Sequence, residues 1–236
     1  MTTPRVAIIV PAFNAEPWVG ECIQSIGAQT MPDFECVIVD DTSTDHTITA
    51  ADIACRADRS DLRFRIIRVR HGGVARAINK GVLLTLARWL MVCGADDVLD
   101  RTYCEVLLAA LDANPGARVA YSTLAEFGDG ASGAWPVKPY APGLLATENC
   151  IPGVAIHARA LYDAVGGFPE DMPQGGEDWL YWLRAEQRGL LDPPPVWVRD
   201  PLYHYRRHAA SLSSRSIYPN IEAIRARIAA LARGEA

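Results

Sequence analysis

Short aliphatic runs alternate with stretches of helical periodicity along the first half of the chain. Arg5–Val10 (RVAIIV) and Phe34–Val39 (FECVIV) are apolar at nearly every position, the pattern of strands buried on both faces. Leu62–Val69, Trp89–Cys93 and Arg118–Thr123 predict three further strands. Between them, Glu16–Ala28 sets Val19, Cys22, Ile23 and Ile26 on one helical stripe, and Asp45–Ala57 opens on an N-capping aspartate. Gly73–Ala87 and Arg101–Asp112 predict two more helices. Strand–helix–strand units with short connections build a parallel sheet covered on both faces. The expected class is therefore α/β, with three layers (α/β/α) and a mostly parallel sheet.

The second half is less regular. Glu126–Thr147, rich in glycine and proline, predicts a long surface loop carrying Trp135 and Tyr140. Ile151–Ile156 predicts a strand, Ala158–Val165 a short helix, and Asp178–Arg188 a helix stopped by Asp192–Pro195. Pro201–Arg207 predicts a last strand, and Asn220–Ala232 an amphipathic helix with Ile221, Ile224, Ile228 and Leu231 on one side. With no repeat and no clean linker, one domain is expected over 1–236. It divides into halves at about 1–123 and 124–213, followed by a C-terminal helix in 214–236.

Composition narrows the classes. Of 236 residues, 50% are hydrophobic and 22% charged, which suits a soluble globule and not a disordered chain. A formal net charge of −5 argues against nucleic acid as a partner. It leaves small anionic ligands open, because a divalent metal reverses the local sign of an acidic site. No uncharged apolar run approaches the ~20 residues of a membrane span. The Val6–Phe13 run is broken by Pro11 and makes no secretory signal. Cysteines 22, 36, 55, 93, 104 and 150 sit singly without CxxC spacing, as buried thiols of a reducing compartment do, so a cytoplasmic location is expected.

In an open parallel sheet, ligands bind beyond the carboxyl ends of the strands. Here the first strand runs into Pro11-Ala12-Phe13-Asn14, the second into Asp40-Asp41, and the fourth through Gly94-Ala95 into Asp96-Asp97. Two acidic pairs at one crevice repel unless a cation or hydrogen-bond donors sit among them. Clustered oxygen ligands suit Mg²⁺ or Mn²⁺ shared with substrate phosphates. Each aspartate equally suits a capping role in the turn after its strand. There is no GxxxxGK[ST] phosphate loop. Gly128–Gly133 (GDGASG) matches GxGxxG in letters, but no helix follows it, so a dinucleotide-binding dehydrogenase is disfavoured.

Seven segments then fall in order: VPAFNAE (Val10–Glu16), AQT (Ala28–Thr30), VIVDDTSTD (Val37–Asp45), HGGVARAINKG (His71–Gly81), GADD (Gly94–Asp97), GGEDWLYWLR (Gly175–Arg184) and YRRHAASLS (Tyr205–Ser213). Together they resemble the family 2 inverting glycosyltransferases with the GT-A fold, from about residue 5 to residue 213. The resemblance implies a Rossmann-like nucleotide-diphospho-sugar fold whose first half binds the nucleotide and whose second half binds the acceptor. It implies metal-dependent transfer of a sugar, with inversion, from a nucleoside-diphosphate donor to a hydroxyl acceptor. UDP-sugars are favoured, in polysaccharide, glycolipid or glycoconjugate synthesis.

It also implies roles. Asp97 is the first metal ligand and His208 the second, for Mn²⁺ in preference to Mg²⁺, with Asp96 on the ribose or assisting the metal. Gly94 stands where the family's Asp-x-Asp-Asp run begins, which is a departure. Asp41 accepts a hydrogen bond from the base, Asp40 serves the same pocket, Pro11, Ala12 and Asn14 line base and ribose, and Arg76 faces the nucleotide or diphosphate. Asp178 is the general base and Glu177 its alternate, with Gly175-Gly176 giving the acceptor room; helix capping is the competing role for both acids. Gly153 resembles the family's glycine loop near the acceptor. Trp179 and Trp182 stack on a sugar or pack in the core, and His71 touches diphosphate or sits in a solvated turn. Arg206 and Arg207 neutralise diphosphate or decorate the surface, His204 is a strand residue, and the Glu126–Thr147 loop supplies an acceptor-side lid. The terminal helix, with Arg225, Arg227 and Arg233, suits core packing, a homodimer or peripheral membrane contact. A catalytically silent sugar-nucleotide-binding domain and a metal-dependent nucleotidyltransferase remain the other classes. The latter expects a glycine-rich basic loop after the first strand, which Pro11–Glu16 lacks.

Overall fold

The apolar run at the start of the chain forms strand β1 (Val6–Ala12), whose alternate residues enter different cores. Val6, Ile8 and Val10 pack on one side of the sheet, Ala7 and Ile9 on the other, which is why the run shows no polar alternation. The computed structural model describes residues 3–57, 63–131, 133–135, 137–172 and 175–235. Helices α1 (Val19–Gly27), α2 (Thr47–Ala57) and α4 (Tyr103–Ala113) cover the first face. The second face is covered by α3 (Val74–Val82), α5 (Arg159–Val165), α6 (Glu177–Gln187) and α7 (Ile221–Ala232). The six cysteines are free and buried.

The strands are β2 (Phe34–Asp40), β3 (Phe64–Arg68), β4 (Trp89–Val92), β5 (Val98–Leu99), β6 (Val119–Gly128), β7 (Ala134–Trp135), β8 (Ile156–Ala158) and β9 (Val196–Arg207). They form one sheet in the order β3-β2-β1-β4-β8-β6-β9-β5, with β7 paired to β6. The first four are parallel and so are β6 and β9, while β5, β7 and β8 are antiparallel to their neighbours. The expected α/β class holds, and strand order turns back between β1 and β4, which places a ligand crevice beyond their carboxyl ends.

Several expected elements differ. Ile151–Ala155 is a turn, because Pro152-Gly153 interrupts the run, and the strand begins only at Ile156. The last strand starts at Val196; Pro201 sits at a register irregularity against β6, where its missing N–H leaves no ladder bond to lose. The expected Glu126–Thr147 loop is partly ordered: β6 runs on to Gly128, β7 returns onto it, and Leu144–Ala146 forms a 3₁₀ turn. Leu62 of the third expected strand and Ser132 of the GDGASG stretch lie outside the described residues.

His157, on β8, is wholly buried among Phe168, Tyr181 and Trp182. Its Nδ1 faces the Ala155 carbonyl at 3.3 Å and its Nε2 has no partner among the described residues. Burial lowers its pKa from the ordinary 6.5 to about 4. A depressed histidine pKa stabilises the fold above pH 6.5 and that stability is lost as pH falls through about 4. The depression corresponds to about 3 kcal/mol. Urea denaturation should therefore show this loss between pH 7 and pH 4, and His157→Leu should lose correspondingly less; equal losses in both proteins would refute it.

Candidate functional site

A cavity of about 1410 Å³ opens at this switch in strand order. Pro11, Ala12 and Asn14 at the end of β1 line it, as do Asp41, Asp96, Asp97, Glu177, Asp178 and His208. Asn14 holds a left-handed backbone (φ 51°) and its Oδ1 accepts the Thr44 N–H at 2.9 Å; asparagine tolerates this region better than most residues. Thr42, also left-handed at φ 65°, donates its hydroxyl to the Val69 carbonyl at 2.6 Å. A β-branched residue there is strained, and nothing in the sequence signals it.

Asp40 and Asp41 separate. Asp40 is wholly buried, faces the Ser43 N–H and Arg68 Nε at 3.3 Å, and does not line the cavity; it holds the turn after β2. Asp41 lines the cavity and accepts the Gly72 and Gly73 N–H groups, each at 2.9 Å, with His71 Nδ1 also at 2.9 Å. Three donors leave about one of a carboxylate's four acceptor positions for a ligand. Arg76 packs across Gly72 and is not among the cavity-lining residues.

The second pair also divides. Asp97 is buried, and both of its oxygens are taken by the protein: Oδ2 by the Tyr203 hydroxyl at 2.6 Å, Oδ1 by the Arg206 N–H at 2.8 Å. Burial and the neighbouring Asp96 push its pKa up to about 8, against the pull of these two donors. Asp96 is the more open, with Oδ2 2.9 Å from His208 Nε2. A carboxylate oxygen and an imidazole nitrogen at that spacing fit two adjacent ligands of one octahedral ion with bonds of about 2.1 Å. The Trp18 ring lies on the His208 ring, centroids 3.8 Å apart, and fixes its tilt. No group of three metal-ligating side chains exists among the described residues, so substrate oxygens would complete the shell. Gly94 makes this turn possible: a Cβ there would stand 2.5 Å from Asp97 Oδ2 and 2.9 Å from Asp96 Oδ1.

Glu177 and Asp178 open α6 at the other side of the cavity. Asp178 Oδ2 accepts the Asn149 side-chain N–H at 2.9 Å, and Gly153 lies so close that a Cβ would stand 3.0 Å from the Asp178 Cβ. Burial raises the Asp178 pKa, while the Asn149 and backbone hydrogen bonds lower it. Glu177 has a buried Oε2 without a partner among the described residues, and burial with the Asp178 charge pushes its pKa up to about 8. Gly175 and Gly176 line the cavity, and their other neighbours come from the C-terminal segment. Both are left-handed (φ 98° and 83°), and Cβ atoms there would meet Ile217 and Ile224 at 2.5 and 2.7 Å. They let the C-terminal segment close against α6, and Gly176→Ala should lower stability by about 2 kcal/mol or more in chemical denaturation, an unchanged midpoint being the contrary result.

Of the remaining candidates, Trp179 and His71 line the cavity. Trp179 and Trp182 are buried, with Trp179 Nε1 donating to the Leu145 carbonyl at 2.7 Å. Arg206 Nε donates to the Asp96 carbonyl at 2.7 Å, and Arg207 pairs with Glu126 and the Tyr218 hydroxyl. Both brace the loops and are not free at the surface. His204 is a strand residue opposite Val98, and His71 lies beside Phe13, rings 5.2 Å apart. Among the described residues, no helix is long and apolar enough to cross a membrane.

Comparison with known proteins agrees with this fold. The model of the family described as Glycosyl transferase family 2 matches residues 7–164. EpsH of Bacillus subtilis is 27% identical over 230 residues, covering 91% of this chain and 64% of its own. A PGL/p-HBAD biosynthesis glycosyltransferase of Mycobacterium tuberculosis is 41% identical over 99 residues, covering 42% of this chain and 38% of its own. The chain thus spans about two-fifths to two-thirds of these relatives. Among solved structures, Staphylococcus aureus TarS in complex with UDP-GlcNAc superposes with a TM-score of 0.75 at 19% identity, over 98% of this chain and 72% of that one. A mannosyltransferase from Pyrobaculum calidifontis in complex with GDP-Man and Mn²⁺ gives 0.64 at 21%, over 86% and 57%.

Proposed function

The chain belongs to glycosyl transferase family 2, and from that premise we propose that it transfers a sugar, with inversion, from a nucleoside diphosphate to an acceptor hydroxyl. The observation that carries the reading is the opening onto one cavity of a carboxylate–imidazole pair (Asp96, His208) and a separate half-buried carboxylate (Asp178). Asp41, with one acceptor position left, suits the imide N–H of uracil, and the UDP-GlcNAc complex of the similarly folded TarS favours the same base. Pro11, Ala12 and Asn14 would line the base and ribose.

Asp96 and His208 are the residues that would hold Mn²⁺ or Mg²⁺, whose chemistry is to neutralise a departing diphosphate. The Mn²⁺ reported with the similarly folded mannosyltransferase supports a divalent ion in this reading. Asp178 takes the acceptor proton as the acceptor oxygen bonds to the anomeric carbon. The bond from that carbon to the diphosphate oxygen breaks on the opposite face, inverting the centre. Burial makes Asp178 a stronger base than a solvated aspartate, while Asn149 keeps its carboxylate oriented. The two sequence halves serve as donor and acceptor sides of one domain.

Product analysis with UDP-, GDP- and dTDP-sugars and Mn²⁺ tests this. Release of nucleoside diphosphate from at least one donor is expected. Pyrophosphate release would assign nucleotidyl transfer, and binding without any release would assign a silent binding domain.

A further inference from the structure

The wall next to Asp178 is built by a segment outside the family-matched residues. Leu212, Ile217, Tyr218 and Ile221 line the cavity together with Arg215. Leu212 and Tyr218 are 45% and 38% exposed, whereas Ile224 and Ile228, farther along the same segment, are buried in the core. The close contacts of Gly175 with Ile217 and of Gly176 with Ile224 seat the segment directly against the turn that presents Glu177 and Asp178. Arg206, Arg207 and Arg227 are all engaged in ion pairs, but the Arg215 guanidinium has no side-chain partner among the described residues. An apolar surface left open to water inside a cavity, with one uncommitted cation in its midst, is the lining of a site for an amphiphile. The volume allows it, since about 1410 Å³ exceeds the ~300–1,000 Å³ of ordinary small-molecule sites.

We propose that the acceptor is an anionic amphiphile. Its hydroxyl reaches Asp178, its apolar body lies on Leu212, Ile217, Tyr218 and Ile221, and its phosphate or carboxylate pairs with Arg215. The inference rests on the reading of Asp178 as the acceptor-side base.

The test is calorimetric titration of the whole chain, with and without UDP and Mn²⁺, using octyl phosphate, inorganic phosphate and octyl β-D-glucoside below their micellar concentrations. Octyl phosphate should bind on the order of a hundredfold tighter than inorganic phosphate, because only it buries methylenes. Leu212→Ser, at an exposed position, should weaken octyl phosphate and octyl glucoside alike by about fivefold. Arg215→Gln should weaken octyl phosphate by about tenfold, leaving octyl glucoside and UDP unchanged. Octyl phosphate binding no tighter than phosphate would overturn the proposal. So would Arg215→Gln weakening UDP itself, since the arginine would then serve the donor. Failure of UDP to bind counts against the donor reading alone, because the alkyl probes are also measured without it.

Discussion

Asp178→Asn is expected to reduce turnover by about a thousandfold while UDP affinity stays within about twofold, the usual worth of a positioned general base being about 10²–10⁴. The amide keeps the size of the side chain and can still face Asn149, but it cannot take a proton from the acceptor. The pH profile adds a second readout. Burial raises the Asp178 pKa, so in the native enzyme activity should fall on acidification at a pH above that of an ordinary aspartate, as the base protonates. Burial and the Asp178 charge push Glu177 up to about 8, which favours its protonated form at pH 7 and leaves Asp178 the better placed base. Glu177→Gln should accordingly retain most of the turnover and its acid limb. A thousandfold loss in Glu177→Gln with activity kept in Asp178→Asn would exchange the two roles.

Asp96→Ala should weaken Mn²⁺-dependent UDP binding on the order of a hundredfold, whereas Asp97→Asn should act chiefly on stability. Alanine at 96 removes the carboxylate beside His208 Nε2, in an imidazole whose Nδ1 has no partner among the described residues. Asparagine at 97 instead turns an amide N–H₂ toward either the Tyr203 hydroxyl or the Arg206 N–H, at a residue only 4% exposed. That costs about 1–3 kcal/mol of folding free energy. Calorimetry of UDP with and without Mn²⁺, beside denaturation of both variants, separates the effects. Asp97→Asn abolishing metal-dependent binding while Asp96→Ala preserved it would restore the assignment suggested by motif position.

The choice between Asp96 and Asp97 shows where sequence reasoning runs out. The parallel core was legible because β1 and β2 carry apolar residues on both faces and α1 carries a clean stripe. The meeting of Asp41, Asp96 and His208 was legible because each follows or ends a strand at a sheet edge that chain topology defines. Which carboxylate of a pair faces the ligand was not. Adjacent side chains leave the backbone in different directions, and the choice is made by distant partners: Tyr203 and Arg206 for Asp97, Ser43 and Arg68 for Asp40. Nor were the neighbours of the glycines before Glu177 legible, since Ile217 and Ile224 come from far along the chain. The two-residue β5 is too short to carry any periodicity. The amphipathic C-terminal helix was visible, but not that the segment leading into it walls the cavity.

The central claim is that Asp96 and His208 hold the ion that grips the donor diphosphate. Anomalous scattering from crystals grown with UDP and Mn²⁺ tests it most directly. The account predicts one manganese peak bonded to Asp96, His208 and diphosphate oxygens, with Asp97 still held by Tyr203 and the Arg206 amide. A peak on Asp97, or UDP bound in the cavity with no manganese beside Asp96, would contradict it.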